Sequence, residues 1–272
     1  MILAILGPGV LGRSLARHAA SKGFTVRLVG RDEEHARRAL TDIGARGTDV
    51  SRIRAMGCAA EAFEHAQIVL EALPEDPDQK AAAWRGISDW LPQEALRLTG
   101  SSALPIARLD AASGLGGRLV GFHLFVPVGR MGIVECVVPE SVPESDRDRV
   151  ASLAFALDLR LVQVKDGPGY AAARMGLSQG LEAMRLLEAG VATAEDLDAL
   201  MVHGYGHPVG PLELSDRIGL DLRLAIADRL FSETGDPRFE PPALLRRKVA
   251  EGHLGRKTGQ GFFAWESDSR LR

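Results

Sequence analysis

Five apolar residues, Ile2 to Leu6, run without interruption into Gly7-Pro8-Gly9-Val10-Leu11-Gly12, and no other stretch restricts the fold of this chain so tightly. An apolar run of that length reads as a strand buried on both faces of a parallel sheet. Leu15, Ala16, Ala19 and Ala20 then recur at helical spacing, and Val26 to Val29, bracketed by Gly23 and Gly30, forms a second strand. Strand, glycine turn, helix and strand within about 30 residues make one βαβ unit. The three glycines answer separate demands: a tight turn, close approach of a pyrophosphate to the backbone, and packing of the helix against its strand. The helix start offers free N–H groups and a positive dipole end to that anion. Gly7, Gly9, Val10, Leu11 and Gly12 are therefore predicted to hold a dinucleotide. Ordinary turn glycines are the competing reading, and the elements on either side argue against it.

The end of the second strand selects the cofactor. An acidic residue about 20 positions beyond the glycines normally holds the 2′-hydroxyl of NAD, whereas this strand ends at Gly30 and is followed by Arg31. A guanidinium can pair with a 2′-phosphate, so Gly30 and Arg31 favour NADP. NAD stays open if Asp32 takes the ribose, but Asp32 is better placed to cap the helix beginning at Glu33.

Further apolar runs at 67–70, 96–98, 119–124 and 133–138 extend the same sheet, making the first half an α/β layer structure. After 161–164, the string Lys165-Asp-Gly-Pro-Gly169 punctuates the chain and the period changes. Leu177, Leu181, Met184 and Leu187 recur at helical spacing, and Asp196, Leu197, Leu200 and Met201 begin another helix. Strand-like alternation returns only at Gly261-Phe-Phe-Ala-Trp265. The expected fold is an α/β Rossmann domain with a mostly parallel sheet, residues 1–165, followed by an all-α domain, residues 166–272.

Composition removes several function classes. With 33 Lys+Arg against 36 Asp+Glu, the formal charge of −3 leaves no basic footprint for nucleic acid or membrane. No apolar stretch reaches the roughly 18 residues of a membrane helix, and the N-terminal run is too short for a signal peptide. Cys58 and Cys136 are isolated, which argues against a disulfide framework or a metal site and for a reducing, cytoplasmic setting.

Two ionisable side chains interrupt apolar strands: His123 in Gly121-Phe-His-Leu-Phe125, and Glu135 in Ile133-Val-Glu-Cys-Val-Val138. A carboxylate in such a run needs a partner, and the short connection from Pro127 to Gly132 allows the two strands to lie side by side. A His–Glu pair results, with the carboxylate fixing the tautomer and the other ring nitrogen left to exchange a proton with substrate. A satisfied core histidine is the plainer alternative. Ser101 and Ser102 follow a short strand, where they serve either as turn caps or as hydroxyls at the ligand-binding edge of the sheet.

Together these motifs resemble the 3-hydroxyacyl-CoA dehydrogenase family, in particular its short 3-hydroxybutyryl-CoA type, over nearly the whole chain. The carrying stretches are Gly7 to Gly12, Glu71-Ala-Leu-Pro-Glu75 with Lys80, Ser101-Ser-Ala-Leu-Pro-Ile106, and Gly121 to Val128 with Met131 and Val134-Glu135. In the second half they are Asp166-Gly-Pro-Gly-Tyr170, Gly206-His-Pro-Val-Gly-Pro211 with Asp216 and Gly219-Leu-Asp221, and Gly255-Arg-Lys-Thr-Gly-Gln-Gly-Phe262. The resemblance implies interconversion of a 3-hydroxyacyl and a 3-ketoacyl thioester with NAD(P). It makes His123 the catalytic histidine, Glu135 its partner and Ser102 a substrate contact, with Glu75, Lys80 and Ser101 beside the cofactor. It also implies a homodimer built on the helical domain, with which the apolar stripe 177–187 is compatible.

Three departures bear on positioning. The family's asparagine before Arg174 is Ala173, two others are Val126 and Gly100, and the segment between Arg31 and Glu71 is short for the family. They keep open a non-CoA 3-hydroxy acid, as in carnitine or gulonate dehydrogenases, and a dinucleotide-binding dimeric module with little catalysis. Arg37 and Arg38 read either as a solvated helix face or as contacts to a CoA phosphate.

Overall fold

In the computed structural model, which describes residues 1–45 and 47–266, the opening apolar run becomes β1 (Ile2–Leu6). Leu3 and Ile5 enter one apolar cluster while Ala4 and Leu6 enter another, so both faces of the strand are covered. The chain continues through α1 (Val10–Ser21), β2 (Thr25–Gly30), α2 (Glu33–Gly44), β3 (Ile53–Gly57), β4 (Ile68–Glu71), α3 (Pro77–Ile87), β5 (Leu96–Thr99) and α4 (Ile106–Ser113). It then forms β6 (Leu119–Leu124), the short α5 (Val128–Met131), β7 (Ile133–Val137), α6 (Glu144–Ala156) and β8 (Arg160–Val164).

These eight strands form one sheet in the order β3-β2-β1-β4-β5-β6-β7-β8. The first six are parallel, β7 runs antiparallel to β6, and β8 is parallel to β7. The order reverses at β1, so the glycine turn leaves the sheet at the switch point where open α/β sheets bind ligands. β3 escapes the sequence reading because it is an edge strand in which only Ile53 is buried. Edge strands do not carry the continuous apolar run of a central parallel strand.

Two compact units result, Met1–Tyr170 and the chain from Ala171 onward. Of the expected helical domain, residues 267–272 lie outside the described residues. The second unit holds α7 (Ala172–Glu188), α8 (Ala194–Ala199) with a π turn over Leu200–Gly204, α9 (Pro211–Ile218), α10 (Leu220–Thr234) and α11 (Ala243–Ala250). Two expectations need correction here. The stripe on α7 is not free for a dimer: Leu177, Leu181 and Met184 are 1%, 0% and 0% exposed, packed into this unit's own core with Leu212, Leu220 and Leu230. The alternation at 261–265 forms isolated bridges instead of a strand, because the buried Asp216 carboxylate gathers the N–H groups of Phe262 and Phe263 and the indole of Trp265, each at 2.9 Å.

Candidate active site

The glycine turn is built as its spacing demands. Gly7 has φ +113°, and a Cβ there would lie 2.7 Å from the carbonyl oxygen of Ala72. A Cβ on Gly12 would lie 2.0 Å from the Gly7 carbonyl oxygen, so the third glycine brings α1 against the turn. Gly9 is exposed and a Cβ would meet nothing within 4 Å, which leaves the space a pyrophosphate requires at the N-terminus of α1. Val10 is exposed beside it, and Leu11 is half-buried with its side chain against Gly100. Any larger residue at Gly100, the family's asparagine included, would displace Leu11. These residues fit a dinucleotide: an open cradle, a helix start and a backbone with no side chain in the way.

At the end of β2, Gly30 is buried and serves the turn itself, since a Cβ would lie 2.8 Å from the Asp32 carbonyl oxygen and 2.9 Å from the Ala36 nitrogen. Asp32 caps α2 by accepting from the His35 N–H at 2.7 Å, as the sequence indicates. Its other oxygen accepts from Arg31 Nε at 3.2 Å, and the Arg31 side chain is otherwise open to solvent. That backbone hydrogen bond, with Arg31 alongside, holds the Asp32 carboxyl below its ordinary range. Arg37 and Arg38 face water, paired one helical turn back with Glu33 and Glu34.

A second cluster lies at the ends of β4 and β5. Lys80 and Glu71 are both fully buried, with Lys80 Nζ 2.8 and 3.1 Å from the two Glu71 oxygens and 3.1 Å from the Leu73 carbonyl. Thr99 donates its hydroxyl to Glu71 at 2.7 Å. Lys80 is thus buried against Glu71, and its ammonium also lies 3.6 Å from Glu75. Glu75 accepts from the Ser101 hydroxyl at 2.6 Å and from the N–H groups of Ser102 and Ala103 at 2.8 Å. Burial pushes the Glu75 carboxyl up, but Lys80 and these donors outweigh it and hold the group below its usual value. The Ser102 hydroxyl lies 3.3 Å from the same Glu75 oxygen, so the structure joins Ser102 to Glu75 and not to His123.

His123 and Glu135 are directly opposed partners on β6 and β7, and His123 Nδ1 lies 2.7 Å from Glu135 Oε2. The Glu135 side chain is buried and the His123 ring nearly so, a setting in which the carboxylate fixes the orientation of the ring. Phe125 packs on the ring at a centroid distance of 4.6 Å.

Tyr170 links the two clusters, a role its sequence gave no sign of. Held at φ +45° by the Gly-Pro-Gly turn, it is buried and donates its hydroxyl to the Leu104 carbonyl at 2.6 Å. That hydroxyl is 3.4 Å from Ser101 Oγ, and its ring centroid is 6.3 Å from that of His123. Burial raises the phenol well above its ordinary value, so it stays a neutral donor. Asp166 fastens the same segment by accepting from the N–H groups of Ile106 and Ala107 at the start of α4, both at 2.8 Å. Among the positions that depart from the family, Val126 is 44% exposed just after the β6 strand and Ala173 lies in α7 of the second unit.

Comparison with known proteins decides the family. Residues 2–167 match the profile described as 3-hydroxyacyl-CoA dehydrogenase, NAD binding domain, and residues 169–265 match that of 3-hydroxyacyl-CoA dehydrogenase, C-terminal domain. The chain belongs to the 3-hydroxyacyl-CoA dehydrogenase family. It is 33% identical to a probable 3-hydroxybutyryl-CoA dehydrogenase of Bacillus subtilis, with 97% of each chain covered. It is 28% identical to the mitochondrial hydroxyacyl-coenzyme A dehydrogenase of Sus scrofa, covering 97% of this chain and 91% of that one. The crystal structure of (S)-3-hydroxybutyryl-CoA dehydrogenase PaaH1 from Ralstonia eutropha superposes with a TM-score of 0.92 at 28% identity, covering 98% and 99% of the two chains. The family makes this chain an oxidoreductase of fatty acid metabolism with an NAD-binding domain and an acyl-CoA substrate. No described helix is long and apolar enough to cross a membrane.

Proposed function

We propose that His123 is the general acid/base of a 3-hydroxyacyl/3-ketoacyl-CoA interconversion and that Glu135 orients it. The observation that carries this reading is the 2.7 Å contact between His123 Nδ1 and Glu135 inside an apolar strand pair. With Nδ1 held by the carboxylate, Nε2 is the nitrogen that takes the proton of a 3-hydroxyl or returns it to a 3-ketone oxygen. The imidazolium formed on oxidation is stabilised by Glu135 without a proton passing to the carboxylate. A bound nicotinamide dinucleotide supplies the hydride acceptor or donor, and Gly7, Gly9, Val10, Leu11 and Gly12 would hold its pyrophosphate. Glu75, kept ionised and locked by Ser101 and two N–H groups, offers an acceptor on the cofactor side. Ser102 would turn from Glu75 to the substrate oxygen when the thioester binds.

The same reading gives Arg31 the choice of cofactor. Its exposed guanidinium stands where an NAD-selective strand carries an acid, and Asp32 is committed to the α2 cap, which supports a preference for NADPH. The chain is read as a cytoplasmic homodimer, joined through exposed side chains of the helical unit other than the α7 stripe; sedimentation equilibrium measures that directly.

Initial rates with acetoacetyl-CoA, run in parallel with NADPH and NADH, test the reading. Reduction is expected with both, faster with NADPH at limiting cofactor, and Arg31→Ala should erase the difference. Faster turnover with NADH would return the ribose contact to Asp32. Binding of NADPH with no reduction of any 3-keto substrate would favour the non-catalytic module.

A further inference from the structure

The turn from Ser101 to Ala103 closes around a single carboxylate oxygen. Glu75 Oε1 accepts from the Ser101 hydroxyl and from the successive N–H groups of Ser102 and Ala103, with the Ser102 hydroxyl at 3.3 Å. Successive N–H groups converging in this way form an anion nest, and here the protein's own side chain fills it. The other oxygen, Oε2, accepts no hydrogen bond among the described residues, and its ionic contact is Lys80 at 3.6 Å. The Glu75 side chain is 30% exposed, so one oxygen is locked inward while the group still reaches the surface.

Ser101, fully buried, carries this arrangement and is gripped from two sides. Its N–H donates to Thr99 Oγ1 at 3.2 Å, and Thr99 in turn bonds Glu71. Its hydroxyl oxygen accepts from the Leu104 N–H at 3.1 Å. Tyr170 closes the other side, with its hydroxyl on the Leu104 carbonyl at 2.6 Å and 3.4 Å from Ser101 Oγ. The backbone of the same stretch has separate anchors: the Gly169 N–H donates to the Ala103 carbonyl at 2.9 Å, and Asp166 holds the N–H groups of Ile106 and Ala107. Fastening the backbone therefore does not require a phenol. A phenylalanine ring would fill the same buried space without a hydroxyl to desolvate, and a buried hydroxyl is costly unless its bonds are made. What the hydroxyl adds is a fixed Leu104 peptide and a fixed Ser101 side chain, each bonded to the other.

We propose that Tyr170 is a positioning residue: its hydroxyl fixes Ser101, Ser101 fixes Glu75, and Glu75 is thereby held ready to receive the dinucleotide. The last step rests on the reading of Glu75 as an acceptor on the cofactor side. Tyr170 has no hydrogen bond to His123 among the described residues, their ring centroids standing 6.3 Å apart, so the proton-transfer step is left unchanged.

Tyr170→Phe keeps the ring and the backbone anchors and removes the hydroxyl. The first measurement is a carboxyl carbon NMR titration of the unliganded protein, with the Glu75 signal identified by its loss in Glu75→Gln. The groups facing that carboxyl are Lys80 on α3, Glu71 behind it on β4, and the Ser101–Ala103 donors. Against the burial that raises it, Lys80 and these donors hold it below its ordinary range. Loosening Ser101 weakens bonds to the charged form, so the Glu75 titration should move to higher pH in Tyr170→Phe. Ser101→Ala, which breaks the same path one link on, should move it in the same direction, and adding Tyr170→Phe to it should move it no further. The second measurement is cofactor affinity. Tyr170→Phe should raise the Kd and KM for NADPH about fivefold, the scale of one hydrogen bond, with kcat at saturating NADPH and KM for acetoacetyl-CoA within twofold. In the Glu75→Gln background the same substitution should change the NADPH Kd less than twofold. An unmoved Glu75 titration in Tyr170→Phe, or an equal loss of NADPH affinity with and without Glu75, would overturn the proposal. If the titration moves but Glu75→Gln binds NADPH normally, the cofactor reading of Glu75 falls and its positioning by Tyr170 stands.

Discussion

Lys80 and Glu71 show what a single residue contributes to this site. Both are buried and each is the other's charge partner, so the pair contributes little net stability while either member alone is costly. Lys80→Met should destabilise the protein by about 3–5 kcal/mol, read from the urea midpoint, because it strands the Glu71 carboxylate. A loss within the range of an ordinary surface substitution would mean that Glu71 takes up a proton or finds another partner. Tyr170 gives a pH signature. Its folded-state pKa is raised, so its contribution is complete below the unfolded value of about 10 and is lost as pH climbs from there toward the folded value. Tyr170→Phe should reduce the alkaline loss of stability relative to the unaltered protein, and an unchanged slope above pH 10 would contradict the burial argument. For His123 and Glu135, removing one should cost nearly as much as removing both, since they act as a unit. Additive losses in His123→Ala, Glu135→Gln and the double variant would separate them. The pair was legible in the sequence because charged residues stand out in apolar strands. Tyr170 was not, because an aromatic residue after a turn looks like core until its hydroxyl is placed.

At the scale of an element, the glycine turn separates folding from binding. Gly12→Ala drives a Cβ into the Gly7 carbonyl, and overpacking of this kind typically costs about 1–3 kcal/mol. Gly9→Ala meets nothing within 4 Å and should fold with ordinary stability, yet it fills the space left for the pyrophosphate. Its Kd for reduced cofactor, read by fluorescence, should rise at least tenfold, about 1.4 kcal/mol. A Gly9→Ala protein that binds cofactor normally would place the pyrophosphate elsewhere. The β1–α1–β2 unit was readable because each glycine has its own steric reason. β3 was not, since an edge strand needs few buried side chains, and the run at 261–265 misled because Asp216 organises it from 45 residues upstream of Gly261.

For the whole molecule, the division of labour follows from where charge can be buried. The Met1–Tyr170 unit holds the dinucleotide cradle, the Lys80–Glu71–Glu75 cluster and the His123–Glu135 pair around the carboxyl ends of its strands, while the second unit forms a separate helical core. The α/β and helical halves were visible in the change of hydrophobic period near residue 165. The use of the α7 stripe was not, because an apolar helix face reads the same whether it packs inside its own unit or against another chain. The central claim is that His123 moves the proton, and the most direct measurement is the rate of acetoacetyl-CoA reduction by His123→Ala at saturating cofactor. A loss of about 10²–10⁴-fold is expected, with the Kd for reduced cofactor kept within a few-fold of the unaltered protein. Turnover within tenfold of the unaltered protein would contradict it.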